Sequence, residues 1–330
     1  MTTPLIIVFV ALVLLRFPIA LAIAMATAVV IWFDSGLSFY MLVQRLVVGV
    51  DSFVFLAIPL FILAGRLMNA GGITDRIFSF ARALVGHVRG GLGQANIVAS
   101  MIFSGMSGSA VADAGGLGMI EIKAMNDQGY PKPFSAAVTV ASSVIGPVIP
   151  PSIPMVLYGA LAEVSVGRLF MGGIVPGLLV GLSLMVLVYL YSRAKGFPKD
   201  PVVTRKEFFR RLGYAILPGL TPVIILGGII GGVFTPTEAA SAAVFYALIL
   251  SLFVYRTVRL RDLPQILVET MITTAIVTFV ISAASSFSYL LLLSNISQQI
   301  IEALTALTTN KFLMLFILNL ILLFFGCIME

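Results

Sequence analysis

Two interrupted apolar stretches decide how this sequence is read: Phe103-Ser104-Gly105-Met106-Ser107-Gly108-Ser109-Ala110-Val111-Ala112-Asp113 and Ser142-Ser143-Val144-Ile145-Gly146-Pro147-Val148-Ile149-Pro150-Pro151-Ser152. Each begins as an apolar helix and breaks at glycine, serine or proline. In lipid an unpartnered backbone N–H or C=O costs several kcal/mol, so such breaks survive only inside protein or along a wet cavity. Paired interrupted helices are the sequence mark of a transporter's binding site.

The composition around them agrees. The 330 residues are 60% hydrophobic and 10% charged, with a mean hydropathy of +1.11. Several runs reach the ~18–20 apolar residues that cross a bilayer. The fold class expected is an all-α polytopic membrane protein. The net charge of +6 sits between apolar runs and reads as a topology signal, not a nucleic-acid surface. One cysteine and one histidine, Cys327 and His87, exclude an internal disulfide and a cysteine- or histidine-rich metal cluster. No cleavable signal is expected, because Met1 to Leu15 has no Lys or Arg and the apolar run is too long.

Along the chain, Pro4 to Phe33 is one kinked helix or two short ones around Arg16 and Pro18. Residues 38–51 suit an interfacial helix and 52–69 a span. Residues 73–90 are amphipathic, and 92–125 read as a re-entrant hairpin with its tip at 104–113. Residues 134–163 form a spanning helix unwound at 146–152. Further spans are expected at 167–191, 212–234, 236–255 and 263–293. Between them lies a long basic linker, 193–211, cytoplasmic by the positive-inside rule, as are Arg256, Arg259 and Arg261. Gly227, Gly228, Gly231 and Gly232 predict close packing of another helix.

A weak internal repeat aligns Gly72-Ile73-Thr74-Asp75-Arg76-Ile77 with Asn295-Ile296-Ser297-Gln298-Gln299-Ile300, and Gly105 with Gly326. Repeats of this kind, often inverted, build secondary transporters. By this logic the second copy breaks off where its hairpin tip begins. The expectation is a chain lacking on the order of one hundred C-terminal residues.

Hydroxyls, carbonyls and carboxylates are hard oxygen ligands that suit Na+. Prolines 147, 150 and 151 deprive upstream carbonyls of helical partners and make them candidate ion ligands. Against this stands a plainly kinked helix whose serines bond to their own backbone. Asp113 is either an intramembrane functional carboxylate or a cap on the hairpin's second arm. Glu121 and Lys123 are expected near the membrane surface, and Arg16, Glu163, Glu238 and Glu269 at segment ends. Gly105-Met106-Ser107-Gly108 also fits the GxSG pattern of intramembrane serine proteases. That chemistry needs a later histidine base, and none follows, so no enzyme is expected. There is no Walker motif and hence no ATP hydrolysis.

Both broken stretches resemble the large membrane subunit of the tripartite ATP-independent periplasmic (TRAP) transporters, of the C4-dicarboxylate and sialic acid type. Ile58-Pro59-Leu60-Phe61 through Gly71-Gly72-Ile73, and Phe234-Thr235-Pro236-Thr237-Glu238-Ala239, are similar to family patterns too. The resemblance covers the whole chain. It implies an inverted-repeat, elevator-type transporter of the ion transporter superfamily. Residues 1–90 would hold scaffold helices and an arm helix, and 91–165 the first half of the transport domain. Residues 166–262 would add scaffold spans, and 263–330 would begin the second repeat, with its hairpin from 326–330.

The resemblance further implies Na+-coupled uptake of an organic acid across the bacterial inner membrane, with no cofactor. The partners would be a periplasmic substrate-binding protein and a small four-helix membrane subunit, and no nucleic acid. A stand-alone transporter without a binding protein is the alternative. Na+ would be held by Ser104, Gly105, Ser107, Ser109, Ser143, Gly146, Val148, Ile149 and Pro150. The solute would meet Ser107, Gly108, Ser109, Asp113, Pro151 and Ser152.

Overall fold

The structure is a computed structural model that describes residues 2–33 and 36–327. Among these it holds sixteen α-helices and no β-strand. They are α1 (Thr2–Leu14), α2 (Ile19–Phe33), α3 (Phe39–Val48), α4 (Ala57–Ala70), α5 (Ile73–Val85), α6 (Gly91–Ser107), α7 (Ala110–Gly115) and α8 (Leu117–Asp127). The series continues with α9 (Lys132–Ser143), α10 (Ile153–Leu161), α11 (Val166–Lys195), α12 (Arg205–Ile230), α13 (Pro236–Ile249), α14 (Leu263–Leu293), α15 (Ile296–Leu307) and α16 (Lys311–Gly326). Five helical stretches among the described residues are long and apolar enough to cross a membrane: Phe53–Ala70, Val166–Lys195, Arg205–Ile230, Pro236–Val254 and Leu260–Leu293.

The chain forms two compact units, 52–275 and a second made of 1–51 with 276–330. In the second, Leu5, Ala26, Val30, Ile31, Leu42 and Leu290 make the core. Phe9 packs on Phe287 at 5.6 Å between ring centroids, and the Arg45 guanidinium lies 3.8 Å over the Tyr289 ring. The first apolar segment is two helices, not one kinked one. Arg16, at φ 65°, turns the chain between them just before Pro18.

The larger unit is built on α4, α5, α6, α8 and α13. Their buried side chains include Leu67, Ile73, Ile77, Leu92, Phe103 and Ala247. Ser251 Oγ donates to the Leu67 carbonyl at 3.0 Å and ties the end of α13 to α4. Thr235 and Glu238 form a reciprocal cap at the start of α13, so Glu238 has a local structural task. The basic linker is shorter than 193–211 suggests. Arg193 and Lys195 end α11, where cations complement the helix dipole. Thr204 caps α12, which begins at Arg205, leaving 196–204 non-helical. Within that turn Asp200 binds Arg82 through two hydrogen bonds of 2.6 and 3.0 Å.

Among the described residues, the glycines at and just after the end of α12 seat no other helix. A Cβ on Gly228 would strike the Phe234 ring, and Gly227 and Gly232 face open space. They let the helix end fold back on itself. The aligned residues Gly72 and Asn295 both take the left-handed conformation, at φ 65° and 53°. Each opens an amphipathic helix of 13 and 12 residues, α5 and α15. The expected second hairpin tip at 326–330 falls, from Ile328 onward, outside the described residues.

Candidate functional site

The first break is a hairpin tip. Helix α6 runs to Ser107, Gly108 reverses the chain at φ 61°, and Ser109 caps α7 by accepting the Ala112 N–H at 3.3 Å. Glycine is required at 108 for two reasons. L-residues resist that conformation, and a Cβ there would sit 2.6 Å from the Pro151 carbonyl oxygen.

The second break, 144–152, lies between α9 and α10 and starts two residues earlier than 146–152. Ser152 caps α10 through the Met155 N–H at 3.2 Å and donates its hydroxyl to the Pro147 carbonyl at 2.5 Å. The Pro150–Pro151 bond is cis.

The two breaks touch. The Ile153 N–H donates to the Gly108 carbonyl at 3.3 Å. A Cβ on Gly146 would lie 3.1 Å from the Ser109 carbonyl carbon. Gly105 sits in the last turn of α6, where Pro222 of α12 fills the space a side chain would need, with a Cβ-to-Cβ approach of 2.9 Å.

Around this contact the polar groups divide into spent and free. Ser104 Oγ donates to Met101 O and Ser143 Oγ to Val140 O, both at 2.8 Å. Those two serines are bonded to their own helices. Ser107 Oγ is buried and has no partner. Among the described residues no protein donor reaches the carbonyls of Gly146, Val148, Ile149 or Pro150. For Gly146 and Pro150 the cause is chemical: the residues four on are Pro150 and Pro154, which have no N–H, while the Ile153 N–H that would serve Ile149 goes to Gly108 instead.

Asp113 does not cap the hairpin arm, because Ser109 does. It lies inside α7, 1% exposed, with neither carboxylate oxygen hydrogen-bonded. Glu121 is not near the surface. It is fully buried on α8 and equally unpartnered, while Lys123 is exposed. The reason is that α8 packs against α6 and α9, and Glu121 is on the packed face. Next to them a buried polar seam joins α6 to α9. Asn96 Nδ2 donates to Thr139 Oγ1, and Ser142 Oγ donates to Asn96 Oδ1, each at 2.7 Å.

In front of the hairpin tip lies a cavity of about 320 Å³. Ser107 and Ser109 line it together with Arg66, Asn69, Gly116 and Thr273. Gly108, Asp113, Pro151 and Ser152 are buried and do not line it. Arg66 was not among the residues singled out in the sequence. The signal that could have found it is a single charge inside an apolar span, Phe53–Ala70. Its Nη1 is 2.6 Å from Glu269 Oε2, and its Nη2 donates to Thr273 Oγ1 at 2.8 Å. Glu269 is therefore an ion-pair partner across two helices and not merely an interfacial residue.

Residues 6–330 match the family described as the tripartite ATP-independent periplasmic transporter, DctM component. The chain is 46% identical over 287 residues to the sialic acid TRAP transporter large permease protein SiaM of Vibrio cholerae, covering 87% of this chain and 67% of that one. It is 42% identical over 280 residues to the C4-dicarboxylate TRAP transporter large permease protein DctM of Pseudomonas aeruginosa, covering 85% and 66%. It is 41% identical over 315 residues to the isethionate TRAP transporter permease protein DctMQ of Oleidesulfovibrio alaskensis, covering 95% and 49%. The chain thus spans about half to two thirds of the length of these relatives. The family consists of transporter components and not enzymes, which removes the protease reading. His87, exposed between α5 and α6, offers that chemistry no base. With its apolar spans and this kinship, the chain is a multi-pass inner-membrane protein and belongs to the DctM family of TRAP transporter large permeases.

Proposed function

We propose that this chain is the ion- and solute-binding part of a Na+-coupled permease that imports an organic acid. A periplasmic binding protein delivers the solute, and a small four-helix membrane subunit braces the permease. The observation that carries the reading is the contact between two helix breaks. Ser107 Oγ in the first break and the carbonyls of Gly146, Val148, Ile149 and Pro150 in the second have no protein partners. Oxygen atoms of this kind replace the hydration shell of a small hard cation, and at Gly146 and Pro150 a proline four residues on has no N–H to compete for the carbonyl. Ser104, Gly105, Ser109, Ser143 and Gly146 shape this ion site. The two serine hydroxyls that are bonded to their own helices keep lone pairs for the ion.

The solutes named for the relatives above are sialic acid, a C4-dicarboxylate and isethionate, all anions at neutral pH. An anionic solute beside a bound cation gives each a reason to raise the other's affinity, which is coupling in its thermodynamic sense. The left-handed start shared by α5 and α15 supports an inverted-repeat, elevator-type architecture. In it the hairpin and α9–α10 form the moving half-site, and the wall helices belong to the support.

The test is uptake in proteoliposomes, using the permease as its gene encodes it with the small subunit and the binding protein of the same operon. Uptake is expected to require an inward Na+ gradient and the binding protein. Ser107→Ala is expected to raise the Na+ concentration for half-maximal uptake about tenfold, the loss of one good ligand interaction. Uptake indifferent to Na+ would remove the ion assignment. Uptake without the binding protein would favour a stand-alone transporter.

A further inference from the structure

The cavity before the hairpin tip contains one charged side chain. Arg66 comes from an apolar helix in which it is the only Asp, Glu, Lys or Arg between Phe53 and Ala70. A charge in such a span is expensive to keep and marks a task by default. We propose that Arg66 is the residue that takes the acid group of the transported solute. Glu269 holds the guanidinium in place until the solute arrives. This rests on the reading of the chain as an organic-acid permease and adds to it a residue outside both helix breaks.

The geometry shows why the guanidinium is available. An arginine carries five N–H donors in a planar fork. Two are used, one on Glu269 Oε2 and one on Thr273 Oγ1. The pair with Glu269 is made through a single oxygen, since Oε1 accepts the Gln265 amide at 3.1 Å. Glu269 therefore does not close the fork in the two-bond manner that makes arginine–carboxylate pairs strong. It does not line the cavity either, so it approaches Arg66 from the outer side.

On the inner side the cavity is polar where an acid's other groups would lie. The Ser107 hydroxyl is buried there without a partner. Asn69 accepts the Thr74 hydroxyl on Oδ1 at 3.3 Å, which turns its amide nitrogen toward Gly116, where a Cβ would come within 3.2 Å of it. Gly115 faces open space. A cavity of about 320 Å³ is at the lower end of the range for small-molecule sites, a size for a small acid. The arrangement makes Glu269 an internal competitor. A solute carboxylate or sulfonate that docks on the free edge of the fork relieves Arg66 of its dependence on Glu269, and α14 is released from α4 at this point.

Removing the competitor and removing the receptor should then act in opposite directions. Uptake of N-acetylneuraminate and succinate is measured with the parent protein and with Arg66→Gln, Arg66→Lys, Glu269→Gln and the exchanged pair Arg66→Glu/Glu269→Arg. Arg66→Gln is expected to raise KM at least tenfold, Arg66→Lys less, and Glu269→Gln to lower KM a few-fold. The exchanged pair is expected to recover thermal stability and not uptake. If the pair only joins two helices, Arg66→Gln and Glu269→Gln will weaken stability alike and leave KM unmoved, and the exchanged pair will restore uptake. Either result would overturn the proposal.

A second readout is independent of transport. Thermal stabilisation of the purified permease is compared for N-acetylneuraminate, succinate and the uncharged sugar N-acetylmannosamine. The acids are expected to stabilise the parent protein and not Arg66→Gln. Stabilisation undiminished in Arg66→Gln, or no stabilisation by any acid, counts against Arg66. Acid binding without Na+-driven uptake counts only against the transporter reading.

Discussion

At Gly108 the backbone leaves the helix at φ 61° and passes within van der Waals reach of Pro151 and Ile153. Gly108→Ala must bear both the left-handed penalty of about 1–2 kcal/mol and a displacement of the second break. The expected outcome is a thermal midpoint lowered by a few degrees, since about 1 kcal/mol corresponds to about 2–4 °C in a chain of a few hundred residues. Loss of ion binding should accompany it. Pro150 acts differently. It removes the donor that Gly146 would otherwise use, so Pro150→Ala supplies an N–H to that carbonyl. Na+ affinity is expected to fall while the thermal midpoint holds or rises. A lower midpoint with unchanged Na+ dependence would assign Pro150 to packing alone. These residues were legible in the sequence because glycine and proline act through the backbone, whatever surrounds them. Arg66 was not, because a lone arginine gains meaning only from what stands opposite it.

At the scale of elements the hairpin α6–α8 shows how little of burial is written in local pattern. Its two arms and tip follow from the apolar runs and the Gly-Ser break. Glu121 reads as a surface residue by type, yet the packing of α8 against α6 and α9 encloses it without a hydrogen bond. An unpartnered buried carboxylate is a cost to the fold, so Glu121→Gln, equal in shape, is expected to leave the thermal midpoint unchanged or higher. A fall of many degrees would show that the carboxylate has a partner when the protein works. At the start of α13 the reciprocal cap of Thr235 and Glu238 is a sequence-encoded device. Thr235→Ala is expected to cost about 1 kcal/mol, seen as a modest loss of thermal stability without a change in solute KM.

At the scale of the molecule the larger unit is tied on its basic side by Asp200. Its carboxylate accepts two bonds from Arg82 and one from Gln128 at 3.2 Å. Partial burial pushes its pKa up, but the hydrogen bonds and charge of Arg82, with Gln128, outweigh this and hold it below the ordinary carboxylate value. A folded pKa below the unfolded one means a contribution present above about pH 4 and lost as pH falls through the lower folded value. Asp200→Asn is therefore expected to lower the thermal midpoint by a few degrees at pH 7, and the gap is expected to close as acidification protonates the folded carboxylate. A gap that stays constant as the pH falls would show that the loop is held by shape and not by charge.

The sequence by itself determined the class of the molecule. It placed the helices that span, the two breaks and the family, because hydropathy, missing N–H groups and left-handed glycines are local properties carried by each residue wherever it goes. Only the tertiary structure decided which polar groups were left over. Ser104 and Ser143 spend their hydroxyls on their own helices and Ser107 does not. Asp113 gives up the cap to Ser109, Glu121 is enclosed, and Arg66 meets Glu269 across 203 residues of chain. Whether a polar atom has a partner depends on groups distant in sequence, and in an apolar surrounding that pairing sets both the cost of the atom and its use.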